Sequence, residues 1–83
     1  MAVLNITYNG VSFDCPQHVD ERVTDIDVRR IAVEVLRTGE VRGLHFAHLA
    51  DRAFDDFVVD RLVGPQGENR IYLRPKVPFG AEA

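Results

Sequence analysis

Apolar and polar residues alternate in two short runs that flank Asn9-Gly10. Leu4-Asn5-Ile6-Thr7-Tyr8 and Val11-Ser12-Phe13-Asp14-Cys15 both have the two-residue period of a strand with one buried face. Asn-Gly between such runs predicts a tight hairpin, because a type I′ turn needs positive φ at both central residues and these two tolerate it best. A two-residue loop also sets the register. Tyr8 faces Val11, Ile6 faces Phe13 and Leu4 faces Cys15, all six on one side; Asn5, Thr7, Ser12 and Asp14 fall on the other.

The period then changes from two to 3.6. Val28, Ile31, Ala32, Val35 and Leu36 follow i, i+3, i+4, i+7, i+8 spacing, the stripe of a helix that buries one face. Thr24 with Asp27 three residues on is a capping-box pattern, with Asp in place of Glu. Val23 before the cap and Val28 at its fourth position suit a hydrophobic staple, and Gly39 suits a left-handed helix end. The pattern predicts a helix over Asp25–Thr38, with Arg29, Arg30, Glu34 and Arg37 pointing away from the stripe.

Residues 41–63 support two readings. As a helix, Phe46, Leu49, Ala50, Ala53, Phe54, Phe57 and Val58 form an apolar stripe. As strands, Leu44, Phe46 and His48 alternate and Phe57-Val58-Val59 is β-prone. The helical period spans more residues, so local pattern favours helix, and strand plus turns stays open. Gly64 to Asn69 has turn composition. Arg70 to Arg74 is a strand with Ile71 and Leu73 on one face and Tyr72 and Arg74 on the other. Pro75 and Pro78 remove two ladder donors beyond it.

Composition narrows the class. Eighty-three residues make one domain with a modest core, burying roughly 60–65% of the unfolded surface. The formal charge of −3 does not favour nucleic acid, whose phosphates call for a clustered basic face, so no nucleic-acid partner is expected. The single cysteine excludes an intrachain disulfide and suits a reducing compartment. No basic segment followed by an apolar one opens the chain, and no apolar run approaches the ~20 residues of a membrane span. The expectation is a cytoplasmic protein with no membrane partner.

The element order resembles the ubiquitin-like β-grasp: a tight hairpin, then one amphipathic helix, then a closing strand. Spacing is also similar to bacterial ubiquitin-like proteins of the multiubiquitin type. The resemblance covers most of the chain and rests on element order, with no diagnostic motif. It implies an α+β fold over residues 1–83 with a short C-terminal tail. Its mixed sheet would have Leu4–Tyr8 pairing in parallel with Arg70–Arg74, the helix packed across one face, and Leu44-His45-Phe46-Ala47 as a short third strand. Part of 54–62 would then hold a short turn or strand. Modifiers and sulfur carriers of this fold end in Gly-Gly. Here Gly80 is followed by Ala81-Glu82-Ala83, so attachment through the tail would need prior trimming and would leave one glycine.

Candidate chemistry is sparse. Cys15-Pro16-Gln17-His18 and His45-Phe46-Ala47-His48 together would make a CysHis₃ zinc set. The hairpin register instead turns Cys15 inward as a small hydrophobe, which is the stronger reading, and no metal or cofactor is expected. Asp51, Asp55, Asp56 and Asp60 read as a solvated acidic face salt-bridged to Arg52 and Arg61. No phosphate loop, dinucleotide fingerprint, zinc-protease motif or nucleophile elbow is present, and catalysis is not expected. Arg29, Arg30, Arg37, Arg70 and Arg74 are candidates for one basic patch, with Tyr72 as an aromatic anchor of the type enriched at protein interfaces. The functional expectation is a non-enzymatic protein-interaction module using Tyr72, Arg74, Lys76, Phe79 and Gly80. The alternatives are a modifier or carrier acting through a processed C-terminal tail, and a small accessory subunit of an enzyme complex. The partner and oligomeric state are not legible.

Overall fold

The computed structural model describes residues 1–76. They form β1 (Ala2–Tyr8), β2 (Val11–Asp14), α1 (Asp25–Thr38), β3 (Val58–Val63) and β4 (Asn69–Arg74). One mixed sheet has the order β2-β1-β4-β3. β1 is antiparallel to β2 and parallel to β4, and β3 is antiparallel to β4. This is the α+β, ubiquitin-like β-grasp topology, with the two central strands supplied by opposite ends of the chain.

The hairpin forms as its residues require. Asn9 (φ 51°) and Gly10 (φ 78°) both take the left-handed backbone of the tight turn. Tyr8 pairs with Val11 and Ile6 with Phe13, and the Cys15 amide donates to the Leu4 carbonyl at 2.8 Å. Leu4, Ile6 and Cys15 are buried, Phe13 is half-buried, and Val11 at the hairpin tip stands exposed. In the parallel pair, Leu4 lies beside Ile71 and Ile6 beside Leu73, which places all four in the core.

The helix has its expected ends. Thr24 Oγ1 accepts from the Asp27 amide at 3.2 Å, and Gly39 (φ 73°) donates its amide to the Val35 carbonyl. Its buried arc is shifted from the predicted stripe. Val28, Ala32, Val35 and Leu36 are buried, but Val33 is buried in place of Ile31, which is half-exposed. The cause is the 44–57 segment, which lies along the Val33 flank. Arg29 and Arg37, one turn to either side of Val33, donate to the carbonyls of Phe57 (3.0 Å) and Leu49 (2.7 Å). Ile6→Ala is therefore expected to cost about 2–5 kcal/mol and Ile31→Ala under about 2 kcal/mol, read from urea unfolding midpoints. A loss under about 0.5 kcal/mol at both sites would contradict this core.

The helical preference over 41–63 is overturned. Successive backbone bonds run i+3 to i: Leu49 to Phe46, Ala53 to Ala50, Asp55 to Arg52 and Phe57 to Phe54. These close single turns and never propagate into a helix. The chain then straightens into β3, whose six residues pair with β4 from Val58↔Arg74 to Val63↔Asn69. The apolar periodicity had a different cause. The turns place Phe46, Leu49, Ala53, Phe54 and Phe57 against one surface, with Phe54 fully buried. The expected short strand at Leu44–Ala47 is reduced to an isolated bridge between Val41 and Leu44. The predicted turn over 64–69 joins β3 to β4, with the Gly64 amide donating to the Glu68 carbonyl at 2.7 Å.

Candidate interaction face

Strand alternation divides the sheet into two surfaces. Ile71 and Leu73 face the helix, so Arg70, Tyr72 and Arg74 project from the opposite, open face. Register brings Asn5 beside Tyr72 on one side and Asp60 opposite Tyr72 on the other. Tyr72 thus sits near the centre of the open face, flanked by polar residues from β1 and β3.

A connected polar network fixes this face. Asn5 Oδ1 accepts from Ser12 Oγ at 3.0 Å, and Asn5 Nδ2 donates to Asp14 Oδ1 at 2.9 Å. Arg70 donates to the same carboxylate oxygen at 2.8 Å and, through Nε, to Tyr72 Oη at 2.8 Å. The Arg70 guanidinium also lies 5.5 Å from the centre of the Tyr72 ring. Its side chain is 18% exposed, so the pair with Asp14 is partly desolvated. The Tyr72 hydrogen bond and then the Asp14 charge outweigh desolvation and push the Arg70 pKa above its ordinary value. Arg74 pairs with Asp60 across the β3–β4 ladder. Every arginine on this face therefore meets a carboxylate. The accessible surface of this face comprises the half-buried Tyr72 ring, the exposed but paired Arg74 and Asp14, and Leu62 near the sheet edge.

Of the five residues expected to form the interaction site, Tyr72 and Arg74 share this face and Lys76 is exposed just beyond β4. Phe79 and Gly80 lie outside the described residues. The single basic patch does not form. Arg29, Arg30 and Arg37 ride on the helix, on the other side of the sheet from Arg70 and Arg74. The first and third are tied to the 44–57 segment, Arg37 also pairing with Asp51 at 2.8 Å. The acidic face is likewise divided. Asp55 pairs with Arg52 at 3.0 Å as expected, but Asp51 goes to Arg37 and Asp60 to Arg74. Arg61 turns to the helix entrance, pairing with Asp25 and donating to the Val23 carbonyl, both at 2.7 Å.

Asn5, Ser12 and Asp14 were not singled out as functional from sequence, and Arg70 was named only as a member of the basic patch. Their signal was present in the alternation, which puts the first three on one hairpin face. Only the parallel register reveals that Arg70 joins them.

The metal-like spacings are not brought together. Among the described residues no group of three or more His, Cys, Asp or Glu side chains could hold a metal ion. His45 packs near the helix end, where a Cβ added at Gly39 would meet it at 3.2 Å. Burial, then the charges of Glu40 and Asp14, push the Cys15 thiol up to about 12. It is a protonated thiol at neutral pH, without nucleophilic character.

No protein-family model, curated protein or solved structure matches this chain.

Proposed function

We propose that this domain is a non-enzymatic protein-interaction module that presents its open sheet face, centred on Tyr72, to a folded protein partner. The observation carrying this reading is the Ser12–Asn5–Asp14–Arg70–Tyr72 network, which holds a large amphipathic ring in a fixed orientation on an otherwise free surface. A pre-ordered aromatic loses little rotamer freedom on binding and, with arginine, dominates interface energetics. Pairwise neutralisation of Arg70 and Arg74 also favours protein over nucleic acid, which selects for free basic charge.

The test is affinity isolation from the native host with the full chain, compared with Tyr72→Ala and Arg74→Ala. Truncating a central aromatic anchor costs about 2 kcal/mol or more, roughly a thirtyfold loss of affinity. The expected result is a partner recovered by the wild type and lost with Tyr72→Ala, while the thermal midpoint changes little. Equal recovery by both variants would overturn the reading. Intact mass of the same material separates the modifier alternative, which requires a species ending at Gly80 or a covalent adduct.

A further inference from the structure

The two flanks of α1 differ. Toward the 44–57 segment lies a groove of about 630 Å³ where Arg30 pairs with Asp27, Arg37 with Asp51 and Asp55 with Arg52, while Glu34 stands on the helix crest that borders both grooves. It favours neither sign of charge. On the opposite flank, between the helix and residues 15–23, lies a second groove of about 530 Å³. Its apolar lining is Cys15, Val19, Val23, Ile31 and Val35. Its outer wall is held to the sheet: Ala2 and Val19 exchange backbone bonds of 2.6 and 2.9 Å. This is also why Ile31 is half-exposed. It packs against the core on one side and borders the groove on the other.

The charged groups bordering this groove are Asp20, Glu34, Glu40 and Arg30, with His18 beside them. Arg30 and Asp20 are satisfied by near neighbours, Asp27 at 3.4 Å and Arg22 at 3.5 Å. Glu34 and Glu40 make no ion pair among the described residues. The field of Glu40 reaches the groove floor, since it raises the Cys15 pKa beyond what burial does. The combination is an apolar floor under a net negative rim.

We propose that this groove takes an extended protein segment with an apolar side chain flanked by lysine or arginine. The floor removes the apolar group from water, and Glu34 and Glu40 supply the unsatisfied counter-charges. An acidic segment is repelled by the same rim. The volume falls in the range of clefts that take a small ligand, or a short peptide's side chains in its stead, about 300–1,000 Å³. The site lies on the helix side of the sheet and is independent of the open face.

The test uses the full chain, ¹⁵N-labelled, titrated with capped Lys-Val-Ile-Val-Lys and capped Glu-Val-Ile-Val-Glu peptides. The lysine peptide is expected to shift the amides of Cys15, Val19, Ile31 and Val35, and to bind more weakly as salt rises. The glutamate peptide is expected to bind about tenfold more weakly or worse, since two attractive exposed charges become repulsive. Replacing both exposed carboxylates, Glu34→Gln with Glu40→Gln, should weaken the lysine peptide about fivefold. Tyr72→Ala should leave this titration unchanged, which separates the outcome from that of the open face. Equal affinity for the two peptides, shifts centred on Tyr72, or no saturable binding at millimolar peptide would each overturn the proposal.

Discussion

Removal of residues 70–83 is expected to abolish cooperative unfolding. β4 is one of the two central strands, bonded on one side to β1 and on the other to β3. It carries Ile71 and Leu73, both nearly fully buried against the helix. Without it, β3 has no strand partner, β1 retains only the short β2, and the inner faces of both are opened to water. An isolated hairpin is marginal at best. A domain of this length has a total stability of about 4–12 kcal/mol, at about 0.05–0.15 kcal/mol per residue. Losing two core side chains alone costs about as much, at roughly 2–5 kcal/mol each. The check is circular dichroism with urea titration, supported by ¹H–¹⁵N spectra. A retained sigmoidal transition would show that β4 is dispensable and the assigned topology wrong. Leu73→Ala in the full chain provides the milder version, with an expected cost of about 2–5 kcal/mol.

Phe54→Ala is expected to be the most damaging single truncation, at about 3–5 kcal/mol. Phe54 is the largest fully buried side chain among the described residues. Its ring meets Tyr8 and Phe57 edge-on, at centroid distances of 5.5 and 4.8 Å, and Tyr8 in turn meets Phe46 at 5.3 Å. Each such pair adds about 0.5–1.5 kcal/mol beyond simple burial. The ring also anchors a segment with no regular secondary structure of its own, so its loss should release residues 44–57 from the helix flank. Urea unfolding measures the stability, and amide exchange of residues 46–57 measures the release. Phe54→Leu, which keeps most of the volume, should cost clearly less. A cost under about 1 kcal/mol for Phe54→Ala would place the residue outside the core.

The contrast between these regions also separates what local sequence carries from what it does not. The hairpin was legible because Asn9-Gly10 fixes both turn and register within ten residues. The helix was legible because Thr24, the Val28–Leu36 spacing and Gly39 agree on its start, face and end. The inward alternation of Ile71 and Leu73 was equally local. The parallel partner of their strand was implied only by the resemblance in element order, because pairing across more than sixty residues leaves no mark on either strand alone.

The interaction face was half legible. Tyr72 and Arg74 could be placed on one strand face, but the apparent union of five arginines failed because the sheet stands between the helix and the open face. The carboxylates that pair with Arg70 and Arg74 come from two other strands, Asp14 from β2 and Asp60 from β3, which no sequence window contains.

Residues 41–63 show where tertiary structure decided alone. Their apolar spacing fits a helix, yet the open edge of β4 offers Val58–Val63 a full ladder of hydrogen bonds. Phe54 gains complete burial only if the chain before that strand folds as separate turns. Val33 and Ile31 exchange burial for the same reason: the helix presents both, and what packs beside it determines which is covered. The amino-acid sequence by itself determined the elements whose stabilising contacts lie within a few residues. The tertiary structure decided those whose hydrogen bonds and burial are supplied by distant chain, because their conformational preference is too weak to resist the partner that satisfies them.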